Sequence, residues 1–174
     1  METMRELLPR YLERMGVRGL SARTIANHRG IVGLFLDWCE ARGLAAPDAV
    51  TKPILERYQR HLFHLRQPGS GRPLSFRTQH VRLVPVKRFF QWLVRDNYLP
   101  SNPASDLEMP KRERRLPKAV LSADEAEAVL AVPDVEEPLG LRDRALLEVL
   151  YATGLRRSEV RALSVFDVDR GRGT

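Results

Sequence analysis

The sequence predicts a mainly α protein in two parts. Apolar residues recur at three- and four-residue spacing nearly throughout, and no segment alternates apolar and polar residues as a half-buried strand would. A charged, proline-flanked stretch, Met109 to Pro117, separates two pieces of opposite charge. Residues 1–106 carry 17 basic and 9 acidic side chains, net +8; residues 107–118 carry 5 and 2, net +3; residues 119–174 carry 7 and 11, net −4. The length of 174 residues fits one domain, or one small domain plus part of another. With 43% hydrophobic and 29% charged residues the composition is that of a folded chain. No apolar run approaches the roughly 18 residues of a membrane helix, and Met1 to Glu6 lack the apolar core of a signal peptide. Cys39 is the only cysteine, which excludes a disulfide scaffold and a Cys-based zinc site. These features point to a cytoplasmic, metal-free, basic protein. Basic excess is also the footprint of nucleic-acid binding, since each Lys or Arg on a phosphate releases a counterion. Arg outnumbers Lys 25 to 4, a bias that genome composition can equally produce.

The elements follow in order. A first helix runs from about Thr3 to Val17, with Leu7, Leu8, Tyr11, Leu12 and Met15 on one side, and Gly16 and Gly19 end it. Ser21 is a good N-cap for a second helix, because its hydroxyl accepts from an otherwise orphan backbone N–H. Ile25, Ile31, Val32, Phe35 and Trp38 form its apolar stripe, and Gly43 suits a left-handed C-terminal cap. A third helix starts at Thr51, with Pro53 in the first turn where its missing N–H costs nothing. Residues 67–73 form a loop by composition. Ser75 caps a fourth helix ending near Arg95, with Phe76, Leu83, Val86, Phe90 and Leu93 buried. Pro85 lies inside it and should kink or break it. Pro100, Asn102, Pro103 and Pro110 then interrupt the pattern, and the stretch from Met109 to Pro117 reads as an exposed linker or a strap along DNA phosphates. Ser122 and Glu125 have the spacing of a capping box, opening a helix to about Ala131. Another runs from about Leu141 to Ala152, closed by Gly154, and Arg157 to Leu163 can form one more. Asp167 to Thr174 is turn chemistry.

One stretch carries most of the information: RDRALLEVLYATGLRRSEVRAL, residues 142–163. It resembles the tyrosine recombinases, or phage-type integrases, of the Xer-like branch. Upstream, RRLPKAVLSADEAEAVL resembles that family's linker and first catalytic-domain helix. LSARTIANHRGIVGLFLDWCEARG and VKRFFQWLVRDNYLPSNPA resemble its helical core-binding domain. The resemblance covers nearly the whole chain in the family's order. It implies a four-helix, SAM-like core-binding domain over residues 1–106, a linker over 107–117, and the N-terminal part of a catalytic domain over 118–174.

The resemblance also implies chemistry. These enzymes cut DNA without metal or other cofactor, through a tyrosine that forms a 3′-phosphotyrosyl link later resolved by a 5′-hydroxyl. Preorganised guanidinium groups stabilise the charge that builds on the phosphoryl oxygens, and the arginine fork suits one phosphate with two N–H bonds. Arg156 matches the first arginine of that cradle and is expected at a helix N-terminus, where backbone N–H groups favour an anion. Glu159 matches the acidic residue that orients it; without the family it is simply an acid favourable in a first helical turn. The implied partners are double-stranded DNA and other recombinase protomers in a tetrameric synapse, with no membrane. In the family the second and fourth helices of the core-binding domain face the major groove. Residues at matching places are Arg23, Thr24 and Asn27 on the second helix, and Arg77, Thr78, Arg82 and Arg88 on the fourth. Arg can bond a guanine edge and Asn an adenine edge, though most such contacts go to phosphates. Each also fits a solvated helix position. Trp38 and Trp92 read as core, and His28 and His80 as ordinary helix residues with no metal-ligand spacing.

The rest of the family's active site does not follow in these residues. His28, His61, His64 and His80 all fall in the first half, and none is followed by Arg three positions on. Tyr11, Tyr58, Tyr98 and Tyr151 lie in or beside predicted helices, so no residue matches the nucleophile. Three functions fit this pattern. The chain is the front part of a recombinase, or a stand-alone DNA-binding protein that occupies recombination sites without catalysis, or a protein-interaction piece with no DNA role. In the last two cases a half-built catalytic domain exposes apolar faces of 122–163.

Overall fold

Thr3 opens the first helix with a reciprocal cap: its hydroxyl accepts from the Glu6 N–H, and the Glu6 carboxylate accepts from the Thr3 N–H at 2.7 Å. In the computed structural model, which describes residues 2–111, 120–167 and 171, this helix is α1, Met4–Val17. Gly19, at φ +75°, turns the chain out of it, and the Leu20 N–H reaches back to the Met15 carbonyl. That left-handed residue plus six-to-one bond is the common glycine-closed helix end. Helix α2, Ala22–Glu40, starts on Ser21, whose hydroxyl accepts from the Thr24 N–H, and closes through Gly43 at φ +72°. A 3-10 turn, Pro47–Ala49, leads to α3, Lys52–His64, with Pro53 in its first turn. Across the predicted loop, Arg66 and Pro73 pair as an isolated antiparallel bridge. Helix α4, Phe76–Arg95, is capped by Ser75 and ends through Asn97, a non-glycine residue at φ +61°.

Two expectations about α4 are corrected. The helix runs through Pro85 without a break. The proline costs about 3 kcal/mol through one missing bond and a ring clash. Leu83, Val86, Phe89, Phe90 and Leu93 are fully buried on the same helix, and each contributes roughly 1.5–3 kcal/mol by leaving water, so packing wins. Phe76 does not join that stripe. It sits at the helix start, beyond the core, and stays 42% exposed with its ring 6.5 Å from Phe63 of α3.

The core of the first unit is aromatic. Tyr11 meets Phe89 edge-on at 5.3 Å and Trp92 at 5.5 Å, while Phe35 meets Tyr58 at 4.9 Å and Phe90 at 5.9 Å. Trp38 and Trp92 are both buried, as expected. Of the predicted α2 stripe, Val32, Phe35 and Trp38 are buried and Ile25 and Ile31 half-buried. After α4 the chain folds back: Leu99, Ala104 and Leu107 are buried, and the Lys87 ammonium donates to the carbonyls of Ser105 and Leu107.

The chain divides into two compact units, Met1–Arg114 and Arg115–Thr174. In the second, α5, Ala123–Leu130, carries the expected Ser122–Glu125 capping box. Helix α6, Pro138–Thr153, begins three residues before the predicted Leu141, with Pro138 in its first turn, and Gly154 at φ +64° closes it. Helix α7, Arg157–Val160, is one turn and stops short of Leu163; a 3-10 turn, Val165–Asp167, follows. Residues 112–117 of the predicted linker, and 168–170 and 172–174 of the predicted final turn, lie outside the described residues. The described residues are helical with no strand beyond the single bridge, which matches the predicted class.

Candidate nucleic-acid interface

Helices α2 and α4 begin alike, with Ser-Ala-Arg-Thr at 21–24 and Ser-Phe-Arg-Thr at 75–78. In each, the serine hydroxyl caps the backbone and lies 2.9 Å from the threonine hydroxyl. The arginine between them is thereby left exposed at the helix entrance. Past these caps the two helices line a groove of about 530 Å³, bounded by Ser21, Arg23, Thr24, Asn27 and His28 of α2 and by His80, Val81, Val84, Pro85 and Arg88 of α4. No carboxylate lines it.

The structure therefore brings Arg23, Thr24, Asn27 and Arg88 together. Arg77 stands one turn before Val81, on the same face of α4 by helical spacing, and is exposed. Thr78 is half-buried and committed to the cap. Arg82 does not face the groove. Its charge acts on Tyr58 and His61 of α3, so it belongs to the α3 side of α4. The sequence reading missed Val81 and Val84, which lie on the groove wall. A signal was available: 77, 81, 84 and 88 follow helical spacing, and the structure leaves Val81 47% exposed. Pro85 also lacks the N–H that would serve the Val81 carbonyl.

His28, one of the groove residues, belongs to a buried polar pair. The Tyr11 hydroxyl and Nδ1 of His28 are 2.8 Å apart, and His28 is only 4% exposed. Burial and the nearby Arg88 guanidinium hold the His28 pKa below its usual value. Burial pushes the Tyr11 phenol up to about 12. A neutral imidazole and a neutral phenol thus satisfy each other beneath a cationic surface. Cys39 lies deeper, and burial pushes its thiol up to about 12, so it is an unreactive core residue.

In the second unit Arg156 is the residue before α7. Its side chain is 82% exposed, and Glu159 grips it twice: the carboxylate accepts from the Arg156 backbone N–H at 2.8 Å and from the guanidinium at 3.1 Å. The two side chains are thus paired. The expected help from a helix dipole is small, because α7 is a single turn. Tyr151 is on α6 and 61% exposed. Among the described residues no helix is long and apolar enough to cross a membrane.

Known proteins resemble this chain over most of its length. The phage integrase family pattern matches residues 119–174. The chain is 49% identical over 170 residues to the tyrosine recombinase XerC 2 of Ralstonia nicotianae, covering 95% of this chain and 49% of that protein. It is 38% identical over 157 residues to the tyrosine recombinase XerC of Xylella fastidiosa, covering 90% and 50%, and 35% identical over 156 residues to XerD of Ralstonia nicotianae, covering 89% and 47%. The integrase from mycobacterium phage Brujita shares the fold, with a TM-score of 0.52 at 22% identity over 94% of this chain and 50% of that one. The chain belongs to the phage integrase family of tyrosine recombinases and is of the Xer type. It spans about half the length of the curated relatives it matches.

Proposed function

We propose that this chain binds duplex DNA for site-specific recombination, with the α2–α4 groove on the major groove and Arg156 on a phosphate. One observation carries the reading: Arg23, Thr24, Asn27 and Arg88 converge on a groove without a carboxylate. Arg and Asn offer the forked donors and donor–acceptor pair that guanine and adenine edges require, and Val81 and Val84 offer apolar contact for a thymine methyl. Arg156, held by Glu159, supplies a pre-oriented fork for a phosphoryl group. Family membership supports the wider reading: strand exchange through a phosphotyrosyl link, inside a synapse of several protomers. Within residues 1–174 no tyrosine matches the nucleophile, so that step belongs to whatever completes the active site.

The test is duplex binding by the whole chain across a salt series. Wild type should lose affinity steeply, with log K falling by about 0.9 per neutralised phosphate per log unit of salt. Arg23→Ala with Asn27→Ala should weaken binding and flatten the preference among sequences, by about 1–3 kcal/mol for each base edge no longer bonded. Arg82→Ala should change binding less than Arg88→Ala, because Arg82 faces α3. Salt-insensitive binding, or none, would sink the reading.

A further inference from the structure

A second cavity lies on the other side of Arg88. It has a volume of about 370 Å³ and is lined by Tyr11, Arg14, Met15 and Arg18 of α1, Leu20, His28 of α2, and Arg88, Gln91, Trp92 and Arg95 of α4. Arg14 and Arg18 are four residues apart on α1, and Arg88, Gln91 and Arg95 are spaced at three and four on α4, so each set shares one helix face. Four guanidinium groups thus border one pocket, and no carboxylate lines it. Arg14 is held by Asp96, with a nitrogen to oxygen distance of 3.0 Å. Among the described residues Arg18, Arg88 and Arg95 have no ion-pair partner. The field is felt below them: the charges of Arg88 and Arg18 both act on the Tyr11 phenol, and that of Arg88 acts on His28. Unpaired like charges at close range are unfavourable unless an anion joins them.

His28 and Arg88 line both this cavity and the α2–α4 groove. The two are therefore neighbours across one arginine, and whatever occupies the groove presents its edge to the pocket. We propose that the pocket of Arg18, Arg88, Gln91 and Arg95 takes a phosphodiester group of the DNA strand that borders the groove, clamping the backbone in register with the bases read by α2. This rests on the duplex-binding reading above. A phosphate offers the acceptor oxygens that two guanidinium forks and an amide can share. Gln91 adds a neutral donor that keeps its bond at any pH. Positioning, not base reading, is the expected role, as for most protein contacts to DNA. Arg14, already neutralised by Asp96, stands at the rim as a support.

The experiment uses the whole chain and a labelled duplex, with binding followed by fluorescence anisotropy over a range of salt. Arg18→Ala with Arg95→Ala is the test variant; both side chains are exposed, and a thermal melt confirms its fold. The expected result is weaker binding on every sequence alike, with the slope of log K against log salt reduced by about 1–2. Arg18→Lys with Arg95→Lys should restore the slope but not the full affinity, because the ammonium keeps the charge and loses the fork. Unchanged affinity and slope in the alanine variant, while Arg23→Ala with Asn27→Ala weakens binding, would overturn the clamp and leave the groove reading intact. A wild type that fails to bind duplex would overturn both. A second arm adds inorganic pyrophosphate. If it raises the melting temperature of wild type but not of the alanine variant, and the two bind duplex equally, the pocket serves a free anion and the clamp is wrong.

Discussion

His28 shows how one side chain ties stability to the surface above it. It is buried, and its Nδ1 is satisfied by the Tyr11 hydroxyl at 2.8 Å. Tyr11→Phe leaves Nδ1 without that hydroxyl and away from water, so it should cost about 1–3 kcal/mol; the denaturant midpoint measures it. The pH dependence has a definite sign. In the unfolded chain His28 titrates near 6.5; in the fold, burial and Arg88 hold it lower. Between those values the unfolded state binds more protons, so stability is complete above about 6.5 and falls as pH drops towards the folded value. His61, lowered by burial and by Arg42 and Arg82, acts in the same direction. Replacing both with Gln should flatten the decline in midpoint below neutrality; an undiminished decline would assign it to carboxylates. Arg5 is the contrasting case. It reaches Glu40 at 2.8 and 2.9 Å and also bonds Asp37, yet all three side chains are more than two-fifths exposed. Exposed ion pairs contribute about 0–1 kcal/mol, so Arg5→Ala should move the midpoint little. A loss comparable to that of Tyr11→Phe would contradict this ranking. None of these distinctions is legible in the sequence, which marks His28 only as an ordinary helix residue.

At the scale of elements the sequence is legible where local chemistry decides. Ser21, Ser75 and Ser122 each cap the helix they announce, and Gly43 and Gly154 turn the chain as their lack of a Cβ allows. It fails where tertiary packing outweighs local preference. Pro85 signals a break, yet α4 continues because Leu83, Val86, Phe89, Phe90 and Leu93 of the same helix are buried. Phe76 signals core, yet it projects from the helix start. The groove follows the same division. Arg23, Thr24 and Asn27 could be placed on one face by spacing alone, whereas the side of α4 to which Arg82 turns depends on where α3 packs. The caps give the check. Ser75→Ala should destabilise the first unit by about 1 kcal/mol, within a range of roughly 0.5–2. It also frees Thr78 beside the groove, so thermal melting and duplex binding should both shift. A change in binding with no change in melting would mean that the cap is not what orders the entrance of α4.

The two units differ in how much they bury, and that difference sets the behaviour of the whole chain. The first has a continuous core from Met4 to Leu107. In the second only Ala126 and Val160 are buried among the described hydrophobics, and no residue of α6 is. Leu139, Leu141, Leu146 and Tyr151 of α6 are each more than two-fifths exposed. Fixing a backbone costs roughly 1–2 kcal/mol per residue, while fully burying a valine contributes about 1.5–3 kcal/mol. The half-buried Leu147, Val149 and Leu150 add part of that amount each, and the capping box about 1 kcal/mol more. The balance for α5–α7 is thus far less favourable than for α1–α4. Two spectroscopic probes separate the units. Both tryptophans, Trp38 and Trp92, lie in the first unit, so their fluorescence reports that unit alone, whereas far-ultraviolet circular dichroism reports the helices of both. In a urea titration the dichroism should fall in two steps, the first from α5–α7 at low denaturant, and the fluorescence should change only in the second. Coincident transitions by the two probes would show a single cooperative unit and would mean that the second unit draws its stability from the first. Separate transitions would mean that the DNA-binding groove keeps its geometry whether or not the Arg156 turn is ordered, so duplex affinity should persist through the first step and vanish only in the second.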